Sequence, residues 1–132
     1  MKEIIIPACL ERLDELLEFA GGAMQNAGLN VKNQNNIKIA IEEIFVNIVS
    51  YAYPDGEGDV TIRILVDSGT FAAEFRDSGT PYNPLAKADP DTALSADERE
   101  IGGLGIFMVK KMMNEMNYEY RDGQNILTIK KS

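Results

Sequence analysis

The sequence contains no histidine, and Cys9 is its only cysteine. Without histidine the chain offers no imidazole base, no phosphohistidine and none of the usual zinc sets. A lone cysteine excludes an intrachain disulfide. Basic residues are also scarce: 13 Lys and Arg face 21 Asp and Glu, a net charge of −8. A chain this acidic is not expected to bind nucleic acid through a basic surface. Nor is there a run approaching the ~18 apolar residues of a membrane span. The short apolar stretch Ile4-Ile5-Ile6 before Pro7 does not make a secretory signal. The expectation is a cytoplasmic protein with no membrane segment.

The 132 residues, 45% hydrophobic, suffice for one core, so residues 1–132 are read as a single domain. Lys2 to Ala8 reads as a strand. Leu10, Leu13, Leu17, Ala20, Met24 and Ala27 recur at helical spacing, with Gly28 as a stop. A second helix is expected from about Gln34 to Ala52, on the stripe Ile37, Ile41, Ile44, Phe45 and Ile48. Val60, Ile62, Ile64 and Val66 alternate as a strand; Ser68-Gly69 turns into a second strand, Phe71 to Arg76, ending at Asp77. Ser78 to Ile101 holds three of the five prolines and no sustained period, which predicts a long functional loop or lid, about 82–101. A third helix is expected from Gly105 to about Met116. Strands Tyr118–Arg121 and Ile126–Lys130 follow, joined at Asp122-Gly123. Hairpins joining strands imply a mostly antiparallel sheet with helices on one face, an α+β two-layer sandwich.

Three short motifs stand out. Glu43 and Asn47 lie one helical turn apart, about 40° from each other and, by helical geometry, well off the apolar stripe. Asn offers a neutral oxygen to a hard cation such as Mg²⁺, and Glu a carboxylate that can orient or deprotonate a nucleophile. Asp77-Ser78-Gly79-Thr80-Pro81 puts a carboxylate at a strand end beside a glycine that permits close approach of a flat ligand. Gly102-Gly103-Leu104-Gly105 opens a helix, where backbone N–H groups attract anions. Taken singly, each has an ordinary reading: a solvated helix face, a turn, a loop.

Together, in this order, Glu43-x-x-x-Asn47, Asp77-x-Gly79-x-Pro81 and Gly103-x-Gly105 resemble the three nucleotide-binding boxes of the gyrase, heat-shock chaperone, histidine kinase and mismatch-repair (GHKL) ATPases, whose fold is the Bergerat fold. The stretches Tyr51-Ala52-Tyr53-Pro54 and Asp77 to Pro84 extend the likeness toward bacterial anti-sigma factors that are serine/threonine protein kinases. The resemblance implies ATP and Mg²⁺ as cofactors, with Asn47 on the metal and Glu43 as catalytic base. It implies that Asp77 holds the adenine amino group, that Gly79 lets the base approach, and that Gly103 and Gly105 line the phosphates. Thr128 matches a threonine position that supports the adenine site, or is a plain strand threonine. Relatives often carry an arginine directly before the last glycine box. Here Ile101 and Gly102 stand there, and Arg99 either reaches the γ-phosphate from further back or lies solvated among Asp97, Glu98 and Glu100.

By the same resemblance, the expected function is an ATP-dependent anti-sigma serine/threonine kinase. It would act as a homodimer that switches between a sigma factor and a small antagonist protein. The absence of histidine and of a dimerisation helix pair disfavours a histidine kinase. The alternative is a nucleotide-sensing protein-binding module without kinase activity, for which the missing arginine is the discriminating feature.

Overall fold

The computed structural model describes residues 1–25, 27–55, 57–85 and 103–132. Among these residues, five strands and three α-helices follow in the order β1 (Lys2–Pro7), α1 (Leu13–Met24), α2 (Val31–Asn47), β2 (Asp59–Asp67), β3 (Thr70–Asp77), α3 (Gly103–Met112), β4 (Glu115–Arg121) and β5 (Gln124–Lys131). The sheet order is β1-β2-β3-β5-β4, and every pairing is antiparallel. The β2–β3 and β4–β5 turns place Ser68-Gly69 and Asp122-Gly123 at positive φ. That is the primed turn whose twist suits a tight hairpin.

Strand alternation creates the two faces. Val60, Ile62 and Ile64 of β2, Phe71, Ala73 and Phe75 of β3, and Leu127 and Ile129 of β5 are buried on one side. They form one core with Leu16, Ala20 and Met24 of α1 and Ile37, Ile41, Ile44 and Phe45 of α2. Burying each Ile or Phe of this set stabilises the fold by roughly 1.5–3 kcal/mol. On the opposite face, Arg63 bridges Glu3 of β1 at 2.6 Å and Glu74 of β3 at 3.8 Å. The α+β two-layer sandwich expected from the sequence is the observed fold, with the sheet antiparallel throughout.

Helix boundaries differ from the sequence expectation in instructive ways. The second helix begins earlier, at Val31, because the Asn30 side chain caps it by accepting from Asn33 N–H at 2.7 Å. The first ends at Met24, before Gly28. The third ends at Met112, so Met116 belongs to β4. Asn114 N–H already donates to Lys130 C=O at 2.8 Å, which draws the chain into the sheet. Met116 still packs on the core, because strand parity and helical spacing point it the same way. Beyond Asn47 the second helix does not stop but widens into i→i+5 turns over Ile48–Ala52, a form often found at functional sites. No helix among the described residues is long and apolar enough to cross a membrane. Of the expected lid, 82–101, only residues 82–85 are described.

Candidate functional site

A pocket opens between the C-terminal half of α2 and the helix-facing side of the sheet. Ile44, Asn47 and Ile48 line it from one side, and Phe75, Asp77 and Leu127 from the other. Tyr82 and Tyr118 also reach it.

Asp77 is the last residue of β3, with Val60 and Asn125 as its strand partners on either side. It shares parity with Phe75, so its side chain turns toward the helices, and it is only 4% exposed. Its Oδ1 accepts from Gly79 N–H at 3.0 Å and from Asn125 Nδ2 at 2.8 Å. Among the described residues Oδ2 accepts no hydrogen bond. Burial pushes the carboxyl pKa above its ordinary value, against the pull of those two hydrogen bonds. An acid with one oxygen fixed and the other bare on a pocket wall is equipped to accept from a ligand donor.

The segment after Asp77 is fastened to the end of the widened turns. Thr80 N–H donates to Ala52 C=O at 2.8 Å. Ser78 N–H donates to Tyr53 Oη at 2.8 Å, while Tyr53 Oη donates to Asp59 C=O at 2.9 Å. This approach is so close that a Cβ on Gly79 would lie 2.2 Å from the Ala52 carbonyl oxygen. The ring of Tyr82 stacks on Tyr51, with centroids 4.6 Å apart and planes 10° from parallel.

Asn47 corrects the helical-wheel expectation. Instead of standing off the apolar stripe it is 7% exposed and lines the pocket beside Ile44 and Ile48. The reason is that α2 is flanked by α1 and α3 and also shares the core with the sheet, so its buried arc is wider than its apolar stripe. Among the described residues no hydrogen bond reaches its side-chain amide. A buried amide without a partner costs about 1–3 kcal/mol. Its neutral oxygen therefore fits a bound hard cation. Glu43, one turn earlier, is half-buried against the start of α3. A Cβ on Gly105 would lie 2.0 Å from Glu43 Oε2, so the bare glycine makes room for that carboxylate.

Of the residues singled out in the sequence, Asn47 and Asp77 line one pocket, and Gly79 N–H holds Asp77 Oδ1. Glu43 meets Gly105 on the first turn of α3, which Gly103 opens. Arg99 lies outside the described residues. Thr128 is not part of the cluster. It is on the opposite face of the sheet, near Arg63, Leu65 and Glu74, because it differs in parity from Asn125, Leu127 and Ile129. Asn125, on the helix-facing side, is the β5 residue that lines the pocket beside Asp77. Sequence reading missed Asn125 because, two residues after Asp122-Gly123, it passes for a turn residue.

Asp77→Asn tests the buried charge directly. A carboxyl whose folded pKa is raised stabilises the fold fully below its unfolded value, near 3.8, and that contribution is lost as pH rises through the folded value. The ligand-free parent should therefore lose stability as pH rises above that point. Asp77→Asn should flatten the trend and melt higher at pH 7, by about 1 kcal/mol or ~4 °C. Parallel melting curves from pH 4 to 8 for the two proteins would remove the charge from this account.

The histidine kinase-like ATPase domain family matches residues 6–131. A serine-protein kinase RsbW of Listeria monocytogenes is 25% identical over 114 residues, covering 83% of this chain and 73% of that protein. An RsbW of Bacillus pumilus is 27% identical over 135 residues, covering 97% and 83%. The serine/threonine-protein kinase BtrW of Bordetella bronchiseptica is 28% identical over 94 residues, covering 70% and 66%. The fold is also that of a crystal structure of the RsbU and RsbW domains of a Mycobacterium tuberculosis protein, with a TM-score of 0.64 at 16% identity. That match takes in 99% of this chain and 32% of the longer one.

Proposed function

The chain belongs to the histidine kinase-like ATPase domain family, and on that premise we propose that it binds ATP with Mg²⁺ and transfers the γ-phosphoryl group to a serine or threonine of a small partner protein. The observation that carries this reading is the pocket wall itself. Among the described residues, a buried carboxylate with one oxygen that accepts no hydrogen bond and a buried amide that makes none both line it, and the Gly79 N–H holds the other oxygen of that carboxylate.

In this reading the base lies between Ile44 and Ile48 on one side and Leu127 on the other, with its exocyclic amine donating to Asp77. The first turn of α3, opened by Gly103 and bared at Gly105, presents backbone N–H groups to the phosphates. Asn47 would hold Mg²⁺, which neutralises charge on the phosphates when bound. Glu43 takes the proton of the attacking hydroxyl, a weak nucleophile that needs a positioned base. Both residues stand on one rigid helix, a turn apart, so metal and base address the same phosphate. The relatives' kinase names support this chemistry. A homodimer that exchanges a sigma factor for a small antagonist, in the cytoplasm, completes the proposal.

Two measurements test it. Saturating Mg-ATP, at about 100 times its Kd, should stabilise the fold by ~2.7 kcal/mol, close to 10 °C in Tm. Capture of partners from the native cytoplasm with ATP or ADP, followed by phosphosite mapping, reads the transfer. A partner that binds in a nucleotide-dependent way yet is never phosphorylated makes the chain a sensing module instead. Asn47→Ala should leave the ligand-free Tm unchanged or raised, since it deletes an amide that has no partner among the described residues, and should remove the Mg²⁺ dependence of ATP binding. Titration calorimetry with and without chelator decides this: a variant that keeps the parent's magnesium dependence is not missing a metal ligand.

A further inference from the structure

Asn125 is buried, 5% exposed, and every hydrogen-bonding position of its side chain is used. Its Nδ2 donates to Asp77 Oδ1 at 2.8 Å and to Thr80 C=O at 3.0 Å. Its Oδ1 accepts from Tyr82 N–H at 3.1 Å and from Tyr118 Oη. One side chain on β5 thus holds the end of β3, the segment 80–82 and the ring of Tyr118 on β4 in a fixed arrangement. The separations along the chain are 48 residues to Asp77 and 45 to Thr80, so no local turn supplies these contacts.

We propose that Asn125 is a positioning residue for base recognition: it pins Asp77 Oδ1 so that Oδ2 is the oxygen presented to the pocket, and thereby sets the preference for adenine over guanine. This rests on the ATP reading of the site. A carboxylate turns easily about its last torsion, which is broad and roughly two-fold. With Asn125 gone, only Gly79 N–H would still hold it among the described contacts. Adenine presents an amino donor at the edge where guanine presents a carbonyl acceptor. A carboxylate fixed in place accepts from the first and repels the second. A carboxylate free to rotate, or to bring in water, tells them apart poorly. Tyr118 acts one step further out. Its hydroxyl occupies one acceptor site of Asn125, which orients the amide so that Nδ2 faces Asp77.

The test is binding of Mg-ATP and Mg-GTP, by calorimetry, to the parent, Asn125→Ala, Asn125→Thr and Tyr118→Phe. The parent should prefer ATP. Asn125→Ala should lose about tenfold or more in ATP affinity while GTP affinity moves little, so the ATP-to-GTP ratio collapses. Asn125→Thr should recover most of the ratio, since a hydroxyl can still donate to Asp77 and accept from Tyr82 N–H. Tyr118→Phe keeps the ring and should shift the ratio in the same direction by less; it also serves if Asn125→Ala does not fold. A purely structural role would lower both affinities together and leave the ratio alone, and that result overturns the inference while ATP binding stands. A parent that binds neither nucleotide overturns the proposed function and the inference with it.

Discussion

Gly79→Ala should lower the stability of the ligand-free protein by about 3 kcal/mol, or ~10 °C in Tm. The added Cβ would lie 2.2 Å from the Ala52 carbonyl oxygen, 2.7 Å from its carbon and 2.9 Å from Ala52 Cβ. Two of these are backbone atoms, so no rotamer change relieves the clash. Either Thr80 N–H gives up its 2.8 Å bond to Ala52 C=O or the widened turns over Ile48–Ala52 move. Both outcomes also shift Asp77, whose Oδ1 takes the Gly79 N–H, so ATP should no longer stabilise the variant. Gly22→Ala is the control. Its Cβ would meet nothing within 4 Å on the exposed side of α1, and Ala in a helix is favoured over Gly by roughly 0.5–1 kcal/mol. The same substitution should thus have opposite signs at two sites. If both variants melt within 2 °C of the parent, the close approach at Gly79 carries no energetic weight.

The second large effect is expected at Glu43. Glu43→Gln keeps the shape and the contact with α3 but cannot accept a proton. Phosphoryl transfer to the captured partner should fall about 10²–10⁴-fold, with ATP affinity within about threefold of the parent. Gly105→Ala should slow transfer as well, because the new methyl occupies the position of Glu43 Oε2 and displaces the carboxylate. Unlike the clash at Gly79, this one meets the end of a flexible side chain, so the fold should tolerate it. Single-turnover phosphorylation separates the cases. A Glu43→Gln protein as fast as the parent would end the role of this residue as base.

How much of this was legible beforehand varies with the kind of signal. Elements defined by long periodic runs, such as β2 with Val60, Ile62 and Ile64, were readable because one face is buried along the whole length. Asp77 and Gly79 stood out only in combination: alone Asp77-Ser78-Gly79 passes for a turn, and the order of the three motifs is what singled it out. The depth of Asn47 was not readable: the helical wheel measures one stripe and cannot register a second helix packing from the side. Thr128 and Asn125 differ by three positions and therefore by face, a distinction that depends on register alone. Register is set by pairing with β3, and nothing in a nine-residue stretch around the last turn announces it.

The strand order has one further consequence. β5 sits between β3 and β4, although it follows β3 by some fifty residues along the chain. As the chain emerges during synthesis, β1, β2 and β3 can pair as neighbours, and Asp77 then lies on an open sheet edge. It gains Asn125 only when a 48-residue span closes. Closure of that span is slow compared with hairpin formation. On that order of events the pocket would be completed only when β5 docks between β3 and β4. Nascent chains carry the acid long before they carry the side chain that aims it, and nucleotide can act as a late template that holds the final strand in place.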